Sequence, residues 1–149
     1  MALNKQNTPK TLLQEYYKEF WTEFNKWCAK DELFCKEFKK HPYASIRSYQ
    51  DYCSLGEPYN IPIGINFKRH EIRVGAYFSN LNAYQLYDNQ RTQIEERLGR
   101  RMKWTKHLTK ASAYLYDSVD FDENHGWEQA FEVMKLDMLA IRKKFKIKR

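Results

Sequence analysis

Glycine, proline and cysteine are all sparse in this chain, with five, four and three among 149 residues. The glycines are too scattered to build a Gly-rich phosphate loop, and no Gly-x-Ser-x-Gly elbow exposes a nucleophilic serine. Cys28, Cys35 and Cys53 form no Cys-x-x-Cys pair and leave one thiol over under any disulfide scheme, which fits a reducing compartment and does not support zinc. If one helix carries both Cys28 and Cys35, they lie about two turns apart, too far for a disulfide, and behave as small apolar side chains. Long apolar runs are also missing. None approaches the ~20 residues of a membrane-spanning helix, mean hydropathy is −0.85, and the N-terminus MALNKQNTPK has no apolar signal core. No membrane association is expected, and the expected location is the cytoplasm.

Chemistry-bearing clusters are equally scarce. His41, His70, His107 and His125 fall on different segments, and none has metal-ligand spacing to a cysteine or carboxylate. Asp117, Asp120, Asp122 and Glu123 form an acidic stretch without the glycine and closing glutamate of an EF-hand. It reads as a solvated loop ahead of the last helix. No catalytic residue, metal ligand or cofactor is assigned.

What the chain has is aromatic mass and unevenly placed charge. Phe, Trp and Tyr make up 16% of the residues, enough to build core layers from large rings. The net charge of +7 is concentrated in two blocks: residues 91–110 carry +5 and residues 142–149 carry +6, with −6 on residues 111–141 between them. The length suits a single domain spanning residues 1–149, with 1–8 and 146–149 expected to be flexible.

The apolar period assigns the elements. Thr8-Pro9 resembles a cap and first turn, followed by Leu12, Leu13, Tyr16, Tyr17, Phe20, Trp21, Phe24, Trp27 and Cys28 at helical spacing. Asp31 to Lys40 continues helical, with Leu33, Phe34 and Phe38 on one side, until His41-Pro42. A strand is expected at Arg47 to Ser54. Period-two alternation then marks Ile61, Ile63, Ile65 and Phe67, and after a turn at Lys68 to His70, Ile72, Val74, Ala76 and Phe78. Pro62 suits an edge or a strand start. One helix capped by Asn80 or Asn82 carries Tyr84, Tyr87, Ile94 and Leu98 and ends at Gly99, which suits a left-handed cap. Two strands, Met102 to Lys106 and Ser112 to Val119, precede a last helix striped by Trp127, Phe131, Met134, Met138, Ile141 and Phe145. The expected fold is α+β in the order α-(α)-βββ-α-ββ-α, a mostly antiparallel sheet of about five strands with helices packed on one face. Its expected core is Trp21, Phe24, Ile63, Ile65, Ile72, Val74, Phe78, Ile94, Leu98, Trp104, Trp127, Phe131 and Met138.

Several of these landmarks together resemble a known family, domain of unknown function 4268. They are Phe20-Trp21-x-x-Phe24, Ile72-x-Val74 with Tyr77, Ile94-Glu95-x-x-Leu98-Gly99, Trp104, Lys110-Ala111-Ser112 and Trp127, spread from about Tyr16 to Phe145. Members of that family often follow a restriction-endonuclease-like domain in longer bacterial proteins, so the resemblance implies work on or near DNA, or beside a nuclease or other defence protein. The 149 residues leave no room for such a nuclease domain.

Three partner classes follow. Arg97, Arg100, Arg101, Lys103, Lys106 and Lys110, with Arg142, Lys143, Lys144, Lys146, Lys148 and Arg149 of the tail, are candidate contacts to DNA or RNA phosphates. Arg97, Arg100 and Arg101 also stand where cations favour a helix C-terminus, and the tail does the same for the last helix. A nuclease would need an acid and an acid-x-Lys triplet on adjacent strands. Glu57 and Glu71-Ile72-Arg73 approximate this, but arginine is a poor substitute for a proton-shuttling lysine. The one close Glu-x-Lys match, Glu37-Phe38-Lys39, falls in a predicted helix, and Glu71 and Arg73 read as a pair on the exposed sheet face. Finally, the first helix carries a stripe broad enough, with Trp21 and Trp27, to leave aromatics for a homodimer interface.

Overall fold

The computed structural model describes residues 10–53, 55–121 and 127–148. Its elements are α1 (Lys10–Ala29), α2 (Glu32–Glu37), β1 (Tyr49–Tyr52), β2 (Ile61–Asn66), β3 (Glu71–Phe78), α3 (Leu81–Asp88), α4 (Arg91–Leu98), β4 (Lys103–Lys106), β5 (Ala111–Ser118) and α5 (Glu128–Lys144). The strands form one antiparallel sheet in the order β1-β2-β3-β5-β4. The alternation in β2 and β3 sends Ile61, Ile63, Ile65, Ile72, Val74, Ala76 and Phe78 to the helical side, where all are buried. The fold is α+β with the helices on one face, as the apolar pattern predicts. Asn80 caps α3 by accepting the Asn82 and Ala83 amides, and Gly99 closes α4 at φ 71°. The Thr8-Pro9 cap and His125 lie outside the described residues.

Two boundaries differ from expectation. The segment with Tyr84, Tyr87, Ile94 and Leu98 is two helices, because a turn at Asn89 and Gln90 interrupts it. Those four residues keep near-helical phase across the break, so periodicity alone could not show it. Helix α2 stops at Glu37, well short of His41-Pro42, with Phe38 already extended (φ −132°, ψ 137°). As a result Leu33 is exposed, while Phe34 and Phe38 are buried. Cys28 and Cys35 accordingly sit on different helices, with the Cys35 thiol 3.7 Å from the Cys28 carbonyl. Pro62 is the second residue of β2, an interior strand, and so occupies a strand start rather than an edge.

The aromatic content forms three linked packings on the inner face. Phe20 meets Phe67, Phe121, Trp127 and Phe131 at 5.0–5.9 Å between ring centroids, joining α1, the end of β2 and α5. At the other end Tyr59, Phe78 and Tyr87 surround Phe145, and the Tyr59 hydroxyl donates to the Phe145 carbonyl at 3.0 Å. The third packing, Phe34, Phe38 and Tyr52, lines the corner between α2 and β1. Burial of each such ring contributes roughly 1.5–3 kcal/mol before entropy. Of the expected core residues, Leu98, Trp104 and Trp127 are half-buried and pack at its margin.

With every helix on one side, the other face is closed only by side chains lying flat. Arg73 crosses Gly64, and the Tyr114 ring lies against Gly75. A Cβ at Gly75 would stand 2.3 Å from the Ala113 carbonyl oxygen and 2.6 Å from the Tyr114 ring. Gly75→Ala is therefore expected to destabilise the fold by about 1–3 kcal/mol in urea denaturation. A variant as stable as the parent would contradict this packing.

Candidate functional site

Basic residues next to one another in sequence can be dispersed in space, and the segment after α3 shows this. Arg97 donates to the Lys144 carbonyl at 3.3 Å and to the Lys146 carbonyl, tying α4 to the end of α5. The Gln90 side chain donates to the Lys148 carbonyl and accepts its amide, joining the tail to the turn before α4. Arg142 is buried, 3.5 Å from Glu37 and with its guanidinium over the Phe38 ring. Trp104 is covered too: Glu95 accepts both its indole N–H at 3.1 Å and the Met102 amide at 2.7 Å, Arg91 lies over the ring, and Phe145 stacks on it.

Arg100 bridges two elements through three acceptors. It donates to Asp137 at 2.8 Å, to Asp117 at 3.0 Å and to the Tyr116 carbonyl at 3.0 Å, linking β5 to α5. The second oxygens of both aspartates are buried with no protein donor. The two carboxyls can bond one another only if one carries a proton. Burial first, then the hydrogen bond and charge of Asp117, push the Asp137 carboxyl up to about 8, against the opposing pull of Arg100. The pair thus holds one proton near neutrality, a coupling between β5 and α5 that sequence could not reveal, because 20 residues separate the two acids.

Arg101, Lys103, Lys106, Lys110 and Lys143 remain exposed, and Lys144 is half-buried. Arg101, Lys103, Lys106 and Lys110 lie on or beside β4, an edge strand, where lysines also discourage edge-to-edge pairing. The groove beside α4, about 650 Å³, is lined by Arg91, Arg100 and Arg101 but also by Glu95 and Glu96, so its charge is largely offset.

The nuclease-like residues do not converge. Glu71 pairs in register with Asn66 and Ser118 on the open face, while Glu57 accepts the Tyr87 hydroxyl. Arg73 is not engaged as expected with Glu71; its guanidinium sits 4.9 Å from the Tyr114 ring centroid. Glu37 is drawn to Arg142. Among the described residues no three of His, Cys, Asp or Glu come together where a metal ion could be held.

Both tryptophans of the α1 stripe find partners within the chain. Trp21 is fully buried, its indole N–H donating to the Arg47 carbonyl at 2.7 Å, and half-buried Trp27 donates to Glu132. Leu12, nearer the start of α1, stays exposed. A broader open surface lies on the far side of the sheet, where register aligns Tyr49, Gly64, Arg73 and Tyr116 in one row across four strands. Asp51, Tyr77, Lys103 and Tyr114 flank that row. Tyr49 and Tyr116 are the most exposed of its rings, and Tyr114 and Tyr116 lie 6.1 Å apart.

The family model for domain of unknown function 4268 matches residues 16–148. The chain belongs to this family. No curated protein matches it. Among solved structures it is similar to one described as the ExsC-ExsE complex, at 12% identity over 83% of this chain and 90% of that one, with a TM-score of 0.43. That score marks a distant likeness. The family landmarks fall mainly into two places in the fold: Phe20, Trp21, Phe24, Ile72, Val74 and Ile94 in the core, and Gly99 at the cap. Tyr77 stands apart from them on the open face. No helix in the described residues is long and apolar enough to cross a membrane.

The shared proton gives a pH dependence of known sign. Because the folded-state value is raised, the folded protein binds the proton more tightly than the unfolded chain between the ordinary carboxylate range and about 8. The pair's stabilisation is complete at low pH and is lost as pH rises towards about 8. Asp137→Asn supplies a permanent donor to Asp117 and an acceptor for Arg100. In urea denaturation the variant's advantage over the parent is expected to be smallest near pH 4 and larger by about 1 kcal/mol or more at pH 8.5. An equal advantage at both pH values would contradict a shared proton.

Proposed function

We propose that this chain is a protein-interaction module without catalytic chemistry of its own, and that the helix-free face of its sheet pairs with a second copy of the chain. The observation that carries this reading is the character of that face. Four tyrosines, Tyr49, Tyr77, Tyr114 and Tyr116, surround Arg73 on a surface where Asp51 and Glu71 offset Arg73 and Lys103. Tyrosine is enriched at interface centres because it buries a large rigid ring and keeps a hydrogen-bonding tip. A two-fold interface must also be self-complementary. A locally balanced face on a chain of net charge +7 is where two copies meet with least repulsion.

Light scattering tests this. The parent is expected to run at twice its 18.1 kDa mass, and Tyr49→Glu with Tyr116→Glu is expected to give a folded monomer, since both rings are exposed. A parent that stays monomeric at high concentration overturns the reading.

A second reading rests on Arg101, Lys103, Lys106 and Lys110, which stay exposed around β4 while Arg97, Arg100 and Arg142 are engaged within the protein. Together with exposed Lys143 they would meet DNA or RNA phosphates, beside a nuclease or defence partner of the kind that family context suggests. Anisotropy with labelled duplex, single-stranded DNA and RNA would then show a salt slope of about −3 to −4 on duplex. Charge reversal of Arg101 and Lys106 would abolish binding. No binding at low salt removes this reading.

A further inference from the structure

At the corner where α1, α2 and β1 meet lies a pocket of about 440 Å³, within the size range of small-molecule sites. Its walls are aromatic. Phe34 and Phe38 stack at 4.7 Å, and Tyr52 stands edge-on to both at 6.1 and 5.8 Å. Cys28 forms the back, its thiol pushed up by burial and so kept neutral. The walls are also braced from outside. Asp31 caps α2 through the Phe34 amide and pairs with Lys135 of α5 at 2.9 Å, while Arg142 covers the outer side of Phe38. Such a slot is preorganised, so a ligand entering it orders few side chains.

The polar groups of the corner fall into two sets. Deep inside, Asn25, Gln50 and Tyr52 satisfy one another: the Gln50 amide donates to Asn25 at 3.1 Å and to the Tyr52 hydroxyl at 3.3 Å, and Gln50 accepts the Ser45 amide. At the mouth stand three consecutive residues, Lys39, Lys40 and His41, carried there by the early end of α2. No aspartate or glutamate lines this pocket. Two other large depressions among the described residues differ in this respect. The cleft between Trp27 and Trp127 is rimmed by Glu19, Glu23 and Glu128 as well as lysines, and the groove beside α4 is similarly mixed.

We propose that this corner is a binding site for a small carboxylic acid with a planar apolar body. The ring occupies the slot formed by Phe34, Phe38 and Tyr52, and the carboxylate meets Lys39 and Lys40 at the mouth. The aromatic walls select a flat apolar group. The two lysines at the mouth favour an anion over its neutral isostere. The pocket lies on the helical side of the sheet, away from the open tyrosine face, so this inference stands or falls independently of self-association.

Amide-shift titration of the ¹⁵N-labelled chain tests it, with 3-phenylpropionate as the probe and 3-phenylpropionamide as the neutral control. Saturable shifts confined to residues 28–41 and 50–52 are expected, with the acid binding about fivefold more tightly than the amide. In Lys39→Ala/Lys40→Ala the acid falls to the affinity of the amide. Ala29→Trp, at an exposed position lining the pocket, removes binding of both while leaving the fold intact. Absence of saturable shifts by about 10 mM probe, equal binding of acid and amide to the parent, or shifts centred on another surface would each overturn the proposal.

Discussion

All the helices sit on one face of a five-stranded sheet, and this one-sidedness governs the rest of the molecule. The inner face receives the isoleucines of β2 and β3 and the rings of α1, α3 and α5. The outer face has only its own side chains for cover. That is why glycines occur where they do in the middle strands: Gly64 leaves room for Arg73 to cross it, and Gly75 leaves room for the Tyr114 ring. The result is a surface closed to water in places but open to a partner, with Tyr49 and Tyr116 as its most exposed rings.

A second constraint is that three arginines of the two basic blocks are engaged by groups of the protein itself. Arg97 binds the carbonyls at the end of α5, Arg142 sits between Glu37 and Phe38, and Arg100 bridges two aspartates. A buried arginine with imperfectly matched partners adds little net stability, but removing one partner leaves an uncompensated charge. The interior charges therefore act as position markers between α4, β5 and α5. Exposed cations include a group on and beside β4 and the pair Lys39 and Lys40 at the α2–β1 corner.

Much of the fold was legible in the sequence because its signals are periodic. The alternation from Ile61 to Phe78, the stripe from Trp127 to Phe145, and Gly99 at its cap each read correctly, and the same landmarks carry the family resemblance. The break between α3 and α4 was hidden because Tyr84, Tyr87 and Ile94 hold nearly one phase across it. The fate of the basic block was hidden for a different reason. Whether an arginine faces water or a carbonyl depends on what the tail does 47 residues later, and no local pattern encodes that. The tyrosine row was unreadable because it exists only once the register of four strands is set. The partners of Trp21 and Trp27 were also out of sequence reach, because the loop before β1 and α5 supply them.

The central claim is that the outer face of the sheet is the working surface. Fluorine resonances of a chain labelled with 3-fluorotyrosine report on it directly, because tyrosines stand both on the open face and in the core. Across a hundredfold dilution, Tyr49, Tyr114 and Tyr116 should shift together as two copies separate, while Tyr59 and Tyr84, buried on the helical side, should not move. Resonances of the outer-face tyrosines that are independent of concentration, or concentration-dependent shifts centred elsewhere, would contradict the account.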